Sequence, residues 1–108
     1  MKYMIIHMNG KHKVNYPLDQ LAKVLSELDK AEDIESCVAL THDSEWCLSM
    51  HPEGYMLWEN NLGELDECWF MEDVSAEKAI ELWTLLAKGE IDVLKEEPWV
   101  AGDPIYGE

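Results

Sequence analysis

The chain reads as an α+β domain: a largely antiparallel sheet of about six strands with two helices on one face, in the order ββαββββα. Three observations predict this. An Asn-Gly pair joins two short runs near the N-terminus, and two stretches carry apolar residues at helical spacing. Between those stretches lie four short apolar runs separated by turn residues, the pattern of an antiparallel meander. At 108 residues it is read as one domain, 1–108, with 98–108 as an extended C-terminal tail. With 47% hydrophobic residues it can bury a core without disulfides or metal.

The elements follow in order. Tyr3–Met8, Asn9-Gly10 and Lys11–Tyr16 predict a hairpin closed by a two-residue type I′ turn. That register sets His7 opposite His12, Ile5 opposite Val14 and Tyr3 opposite Tyr16. Pro17 suits a first helical turn, and Leu18, Leu21, Val24, Leu25 and Leu28 form one face of a helix ending near Lys30. Ser36–Thr41, Glu45–Met50, Tyr55–Glu59 and Leu65–Met71 are the four meander strands, split by His42–Ser44, His51–Gly54 and Asn60–Gly63. Ser75 is the expected N-cap of a second helix with an apolar face (Ala76, Ala79, Ile80, Trp83, Leu86, Ala87), and Lys88-Gly89 closes it. Ile91–Leu94 adds a further helical turn, and Trp99 is placed to dock on the body.

Cys37, Cys47 and Cys68 are odd in number and lie within apolar runs, so they read as buried small hydrophobes in a reducing compartment. The apolar run Tyr3–Ile6 is too short for a signal-peptide core, and no run approaches the ~18 residues of a membrane span. A cytoplasmic protein without membrane contact is the expectation.

Charge is the most informative feature. The net charge is −15, and it is uneven: residues 1–30 sum to +2 (five Lys, three acids) and residues 31–108 to −17 (twenty acids, three Lys). From Ala31 to Glu77 there are thirteen acidic side chains and no Lys or Arg, together with three of the five tryptophans. Direct nucleic-acid binding is disfavoured, because phosphate contacts need a basic patch, and the chain contains no Arg at all. A run of acids commonly marks a solvated face, but solubility is normally served by interspersed charge of both signs. The pattern therefore points to a basic protein partner. Glu59, Glu64, Asp66, Glu67, Glu72 and Asp73 are the candidate contacts on the open sheet face and its rim, with Tyr55 and Trp58 as aromatic anchors. Trp46, Trp69 and Trp83 are assigned to the core, while Trp58 and Trp99 could face solvent.

Candidate chemistry is thin. His42-Asp43-Ser44 has the letters of a hydrolase triad, but consecutive turn residues should project apart, so a turn is the better account. No P-loop, Rossmann or nucleophile-elbow pattern occurs. His7 and His12, side by side in the expected hairpin, lack the further ligands zinc needs, and no calcium loop is present. No catalytic residue, metal or cofactor is expected. An exposed edge strand could support a homodimer, though nothing specifies one.

The segment LTHDSEWCLSMHPEGYMLWEN (Leu40–Asn60), the helix ELWTLLAKGE (Glu81–Glu90) and the tail EEPW (Glu96–Trp99) together resemble the immunity proteins paired with bacterial polymorphic or contact-dependent toxins. The likeness covers about half the chain and is one of size, acidity and Trp-rich layout. It implies a non-enzymatic protein that binds one cognate toxin, often a basic nuclease, and blocks it. Two other readings stand beside it: a nucleic-acid mimic such as a phage-encoded nuclease inhibitor, and a small ligand-binding or enzymatic domain using the open sheet face.

Overall fold

The computed structural model describes residues 2–33, 36–60 and 68–101. Within them, one antiparallel sheet holds seven strands: β1 (Tyr3–Ile6), β2 (His12–Val14), β3 (Val38–His42), β4 (Trp46–Met50), β5 (Met56–Asn60), β6 (Cys68–Met71) and β7 (Val100–Ala101). Their order across the sheet is β2-β1-β3-β4-β5-β6-β7. The helices are α1 (Leu21–Leu25), α2 (Ala76–Ala87) and α3 (Ile91–Lys95). The α+β architecture is the expected one, with a strand more than predicted. That strand comes from the supposed tail, where Val100 pairs with Phe70 and Ala101 with Trp69. Residues 102–108 lie outside the described part.

One row of side chains locates the core. Ile5, Leu40, Leu48 and Trp58 stand opposite one another on successive strands, and none is more than 2% exposed. They pack with Val38, Met50, Met56 and Met71 against Leu21 and Val24 of α1, Leu82, Trp83 and Leu86 of α2, and Leu94 of α3. The helices therefore cover a single face of the sheet. The buried indole N–H of Trp83 donates to the Leu48 carbonyl at 2.9 Å and ties α2 to β4. Both ends of α2 are chemically closed. The Ser75 hydroxyl accepts from the Lys78 N–H, while Gly89, at φ 79°, lets the chain return its N–H to Leu86.

The N-terminal hairpin departs from its expected register. The His7 N–H donates to the Lys11 carbonyl, and the Gly10 N–H to that of His7, each at 2.8 Å. The loop is thus Met8-Asn9-Gly10, with positive φ at Gly10 but not at Asn9. The Asn9 side chain instead accepts from the Lys11 N–H at 3.0 Å. A three-residue loop slips the pairing by one, so Ile5 meets Lys13, Ile6 meets His12 and Met4 meets Val14. A slip of one turns the whole strand over, and Val14, expected beside Ile5, is 60% exposed.

The first helix is also less regular than predicted, with 3₁₀ turns at Leu18–Gln20 and Ser26–Lys30 flanking α1. The Ser26 hydroxyl donates to the Lys23 carbonyl at 2.6 Å, the local competition that makes serine a poor helix-interior residue. Glu27 compensates by clamping the hairpin. One of its carboxylate oxygens accepts from the Met8 N–H at 2.9 Å, and the other lies 2.6 Å from His7 Nδ1.

The second sheet face is less open than predicted. Ala39, Thr41, Cys47, Ser49 and Leu57 are all less than a tenth exposed. Four of these five are small, and short side chains sit low between strands only ~4.8 Å apart.

Candidate functional site

The turns and strand ends place the acidic residues. Asp43 and Glu45 occupy the β3–β4 turn, and Asn60 at the end of β5 pairs with Trp46 at the start of β4, so Glu59 belongs to that same end of the sheet. Its side chain lies on the face away from the helices, opposite Cys47 and Cys68, and is half-buried. Glu53, Tyr55, Glu72 and Asp73 gather at the other end, where the Val74 N–H donates to the Gly54 carbonyl at 3.0 Å. Glu72 and Asp73 are exposed and Tyr55 is half-buried. Among the described residues, then, Glu59 stands apart from Glu72 and Asp73 by the length of β5, roughly 17 Å for five residues. Glu64, Asp66 and Glu67 fall outside the described residues.

The tryptophans have exchanged roles. Trp58, expected as an exposed anchor, is 2% exposed, whereas Trp46 and Trp69, expected in the core, are only partly buried. Alternation along β5 explains this: Met56 and Trp58 share the helix-side face, and Leu57 and Glu59 the other. Trp58 stacks on Trp46 with ring centroids 4.4 Å apart and planes 8° from parallel, and on Trp99 at 5.9 Å and 12°. Trp69 lies 6.3 Å from Trp46, tilted 39°. Trp99 docks as predicted, its indole N–H donating to the Leu94 carbonyl at 2.8 Å. These four rings, with Lys95 and Glu97, line a cavity of about 390 Å³. The Lys95 ammonium sits 5.2 Å from the centre of the Trp46 ring, and Glu97 is paired with Lys78 at 3.0 Å. Sequence reasoning missed this cavity because its walls come from β4, β5, β6 and the segment after α3. The only signal was five tryptophans in 108 residues.

The remaining groups offer little for a reaction. Ser44 does reach His42, contrary to expectation: its hydroxyl is 2.8 Å from Nδ1, and its backbone N–H donates to the same nitrogen at 3.0 Å. The contact belongs to the turn, since the His42 side chain caps the β3–β4 corner. Among the described residues nothing hydrogen-bonds its buried Nε2, so none of their carboxylates orients the ring from that side. His7 and His12 do not come together as a pair. The register slip sets His12 against Ile6, and His7 is held by Glu27. Among the described residues no three His, Cys, Asp or Glu side chains gather closely enough to hold a metal ion.

Cys37, Cys47 and Cys68 form no disulfide. Burial pushes the Cys47 thiol up to about 12, with the Glu59 and Cys37 charges adding and a 3.3 Å contact from the Thr41 hydroxyl opposing. Cys37 is raised too, by burial and then by Glu59. A second groove, of about 430 Å³, runs along β1–β3 with Met4, Ile6, Val14, His12, Thr41 and His42 among its walls. No described helix is long and apolar enough to cross a membrane.

No protein-family model, curated protein or solved structure matches this chain.

Proposed function

We propose that this protein is a non-enzymatic inhibitor of a basic protein, and in concrete form a cytoplasmic immunity protein that neutralises a cognate nuclease-type toxin. The observation that carries this is the acid-only run from Ala31 to Glu77, thirteen carboxylates without a Lys or Arg. Of these, Asp43 and Glu45 lie in the turn at one end of the β3–β6 meander, and Glu53, Glu72 and Asp73 lie at the other. A cleft built for phosphate is lined with Lys and Arg, and carboxylates held in fixed positions would satisfy those groups. Complementary fields also accelerate encounter, up to ~10⁸–10⁹ M⁻¹s⁻¹ at low salt.

The division of the acids into two ends gives the test. Two double charge reversals, Glu72→Lys with Asp73→Lys and Asp43→Lys with Glu45→Lys, are compared for association with the product of the neighbouring gene. The Debye length is ~30 Å at 0.01 M salt but ~8 Å at 0.15 M. In dilute salt both pairs should slow association alike, because the whole field steers the partner. At 0.15 M only the docking end should matter. Association rates that ignore both reversals at every salt concentration would refute the proposal.

The groove along β1–β3 supports a second reading, a small ligand-binding domain, since it joins apolar walls to His12 and His42. Binding of small apolar ligands that is lost in Val14→Asp would favour it.

A further inference from the structure

We infer that the tryptophan-lined cavity receives one arginine side chain from the basic partner, and that Lys95 is a built-in occupant which this arginine displaces. The inference rests on the partner being basic, as proposed above, and adds what the partner must present.

The walls select for a flat cation. Trp58 is stacked on both Trp46 and Trp99, at interplanar angles of 8° and 12°, and the ring on which a cation already rests is Trp46, with the Lys95 ammonium 5.2 Å from its centre. A planar guanidinium stacks on such a surface and keeps its N–H groups free for acceptors at the edge. Glu97 supplies a carboxylate on the wall, with Lys78 against one of its oxygens. At longer range the chain's net charge of −15 draws cations toward it.

Lys95 reports the same preference from within. The chain holds 23 acids and eight lysines, yet among the described residues this ammonium rests on a ring and not on a carboxylate. Lys95 is exposed at the end of α3, and Asp92 lies three residues earlier on that helix, within reach of a side chain that swings out. Displacement therefore exchanges one cation on Trp46 for another and gives Lys95 a carboxylate neighbour. A cavity of about 390 Å³ has room for an arginine side chain.

The test uses a small probe and no macromolecular partner. The folded chain is titrated with N-acetyl-arginine amide, and with the uncharged isostere N-acetyl-citrulline amide as control, while indole fluorescence is followed. Saturable quenching by the arginine compound alone is expected. Lys95→Met should tighten it about two- to fivefold, the scale of one exposed cation–π contact. Trp46→Leu, with its fold checked by circular dichroism, should abolish it. Equal responses to both compounds, no response to either, or unchanged or weaker binding in Lys95→Met would overturn the inference. Because the toxin is absent from the titration, such a failure is separate from a failure of the salt-dependent association test.

Discussion

Replacing Trp58 by alanine should unfold much of what the sheet and helices hold together. The side chain is 2% exposed, lies in the row Ile5–Leu40–Leu48–Trp58, and stacks on both Trp46 and Trp99. Truncating a buried Trp or Phe to Ala costs ~3–5 kcal/mol, and aromatic pairs add ~0.5–1.5 kcal/mol beyond buried area. A loss of about 4 kcal/mol is therefore expected. Domains of this size have total stabilities of ~5–15 kcal/mol, so the variant should be marginal. At ~4–8 °C per kcal/mol the melting temperature should fall by roughly 15–30 °C. Urea unfolding followed by far-ultraviolet circular dichroism gives the free energy, and the near-ultraviolet spectrum reports the stacked indoles. A loss below ~1.5 kcal/mol, with the near-ultraviolet signal otherwise intact, would refute the enclosure argued for this ring. It would return Trp58 to the surface, where a partner could use it directly.

Trp83→Phe should cost about 2–3 kcal/mol in the same experiment, because it leaves the Leu48 carbonyl without the indole donor and a void beside it. Glu27→Ala releases the hairpin from its clamp on His7 and the Met8 N–H, with an expected loss of about 1–2 kcal/mol and faster amide exchange at Met8. For the thiols, the folded state holds the Cys47 proton up to about 12, whereas an ordinary thiol releases it near 9.0. Between those values the unfolded chain binds fewer protons, so stability should be intact below pH 9 and decline as pH rises toward 12. Cys47→Ser should flatten that decline. Added salt should stabilise the protein at neutral pH by screening the net charge of −15, and a melting temperature that falls with salt would contradict this.

Local chemistry in the sequence was a good guide wherever one residue decides one geometry. Ser75 caps α2 and Gly89 ends it, as their types require. The turns at His42–Glu45 and His51–Gly54 separate strands near the expected places. Reading failed where a choice between two near-equal backbone solutions governs many side chains. Asn9-Gly10 suits a two-residue loop or a three-residue one, and the second inverted β2, separated His7 from His12 and exposed Val14. Trp58 and Glu59 are adjacent, so polarity next door suggested exposure for both; alternation put one inside and the other out. β7 is two residues long, too short to carry a periodic signal. The indole cavity was illegible because no local pattern links position 46 with position 99.

Self-repulsion in so acidic a chain has to be offset by something other than ion pairs. Among the described residues the pairs are His7–Glu27 and Lys78–Glu97, both on the periphery. Two partly buried pairs cannot balance a net charge of −15. The apolar core of Ile5, Leu40, Leu48, Trp58, Trp83 and their neighbours must therefore carry the fold. At ~1.5–3 kcal/mol for each buried large side chain, it can do so without relying on ion pairs. That separation suits the basic partner proposed above. On the proposed reading, carboxylates already neutralised by internal lysines would have little left to offer an incoming cation, whereas exposed ones such as Glu72 and Asp73 are carried by a body whose stability comes from its apolar core.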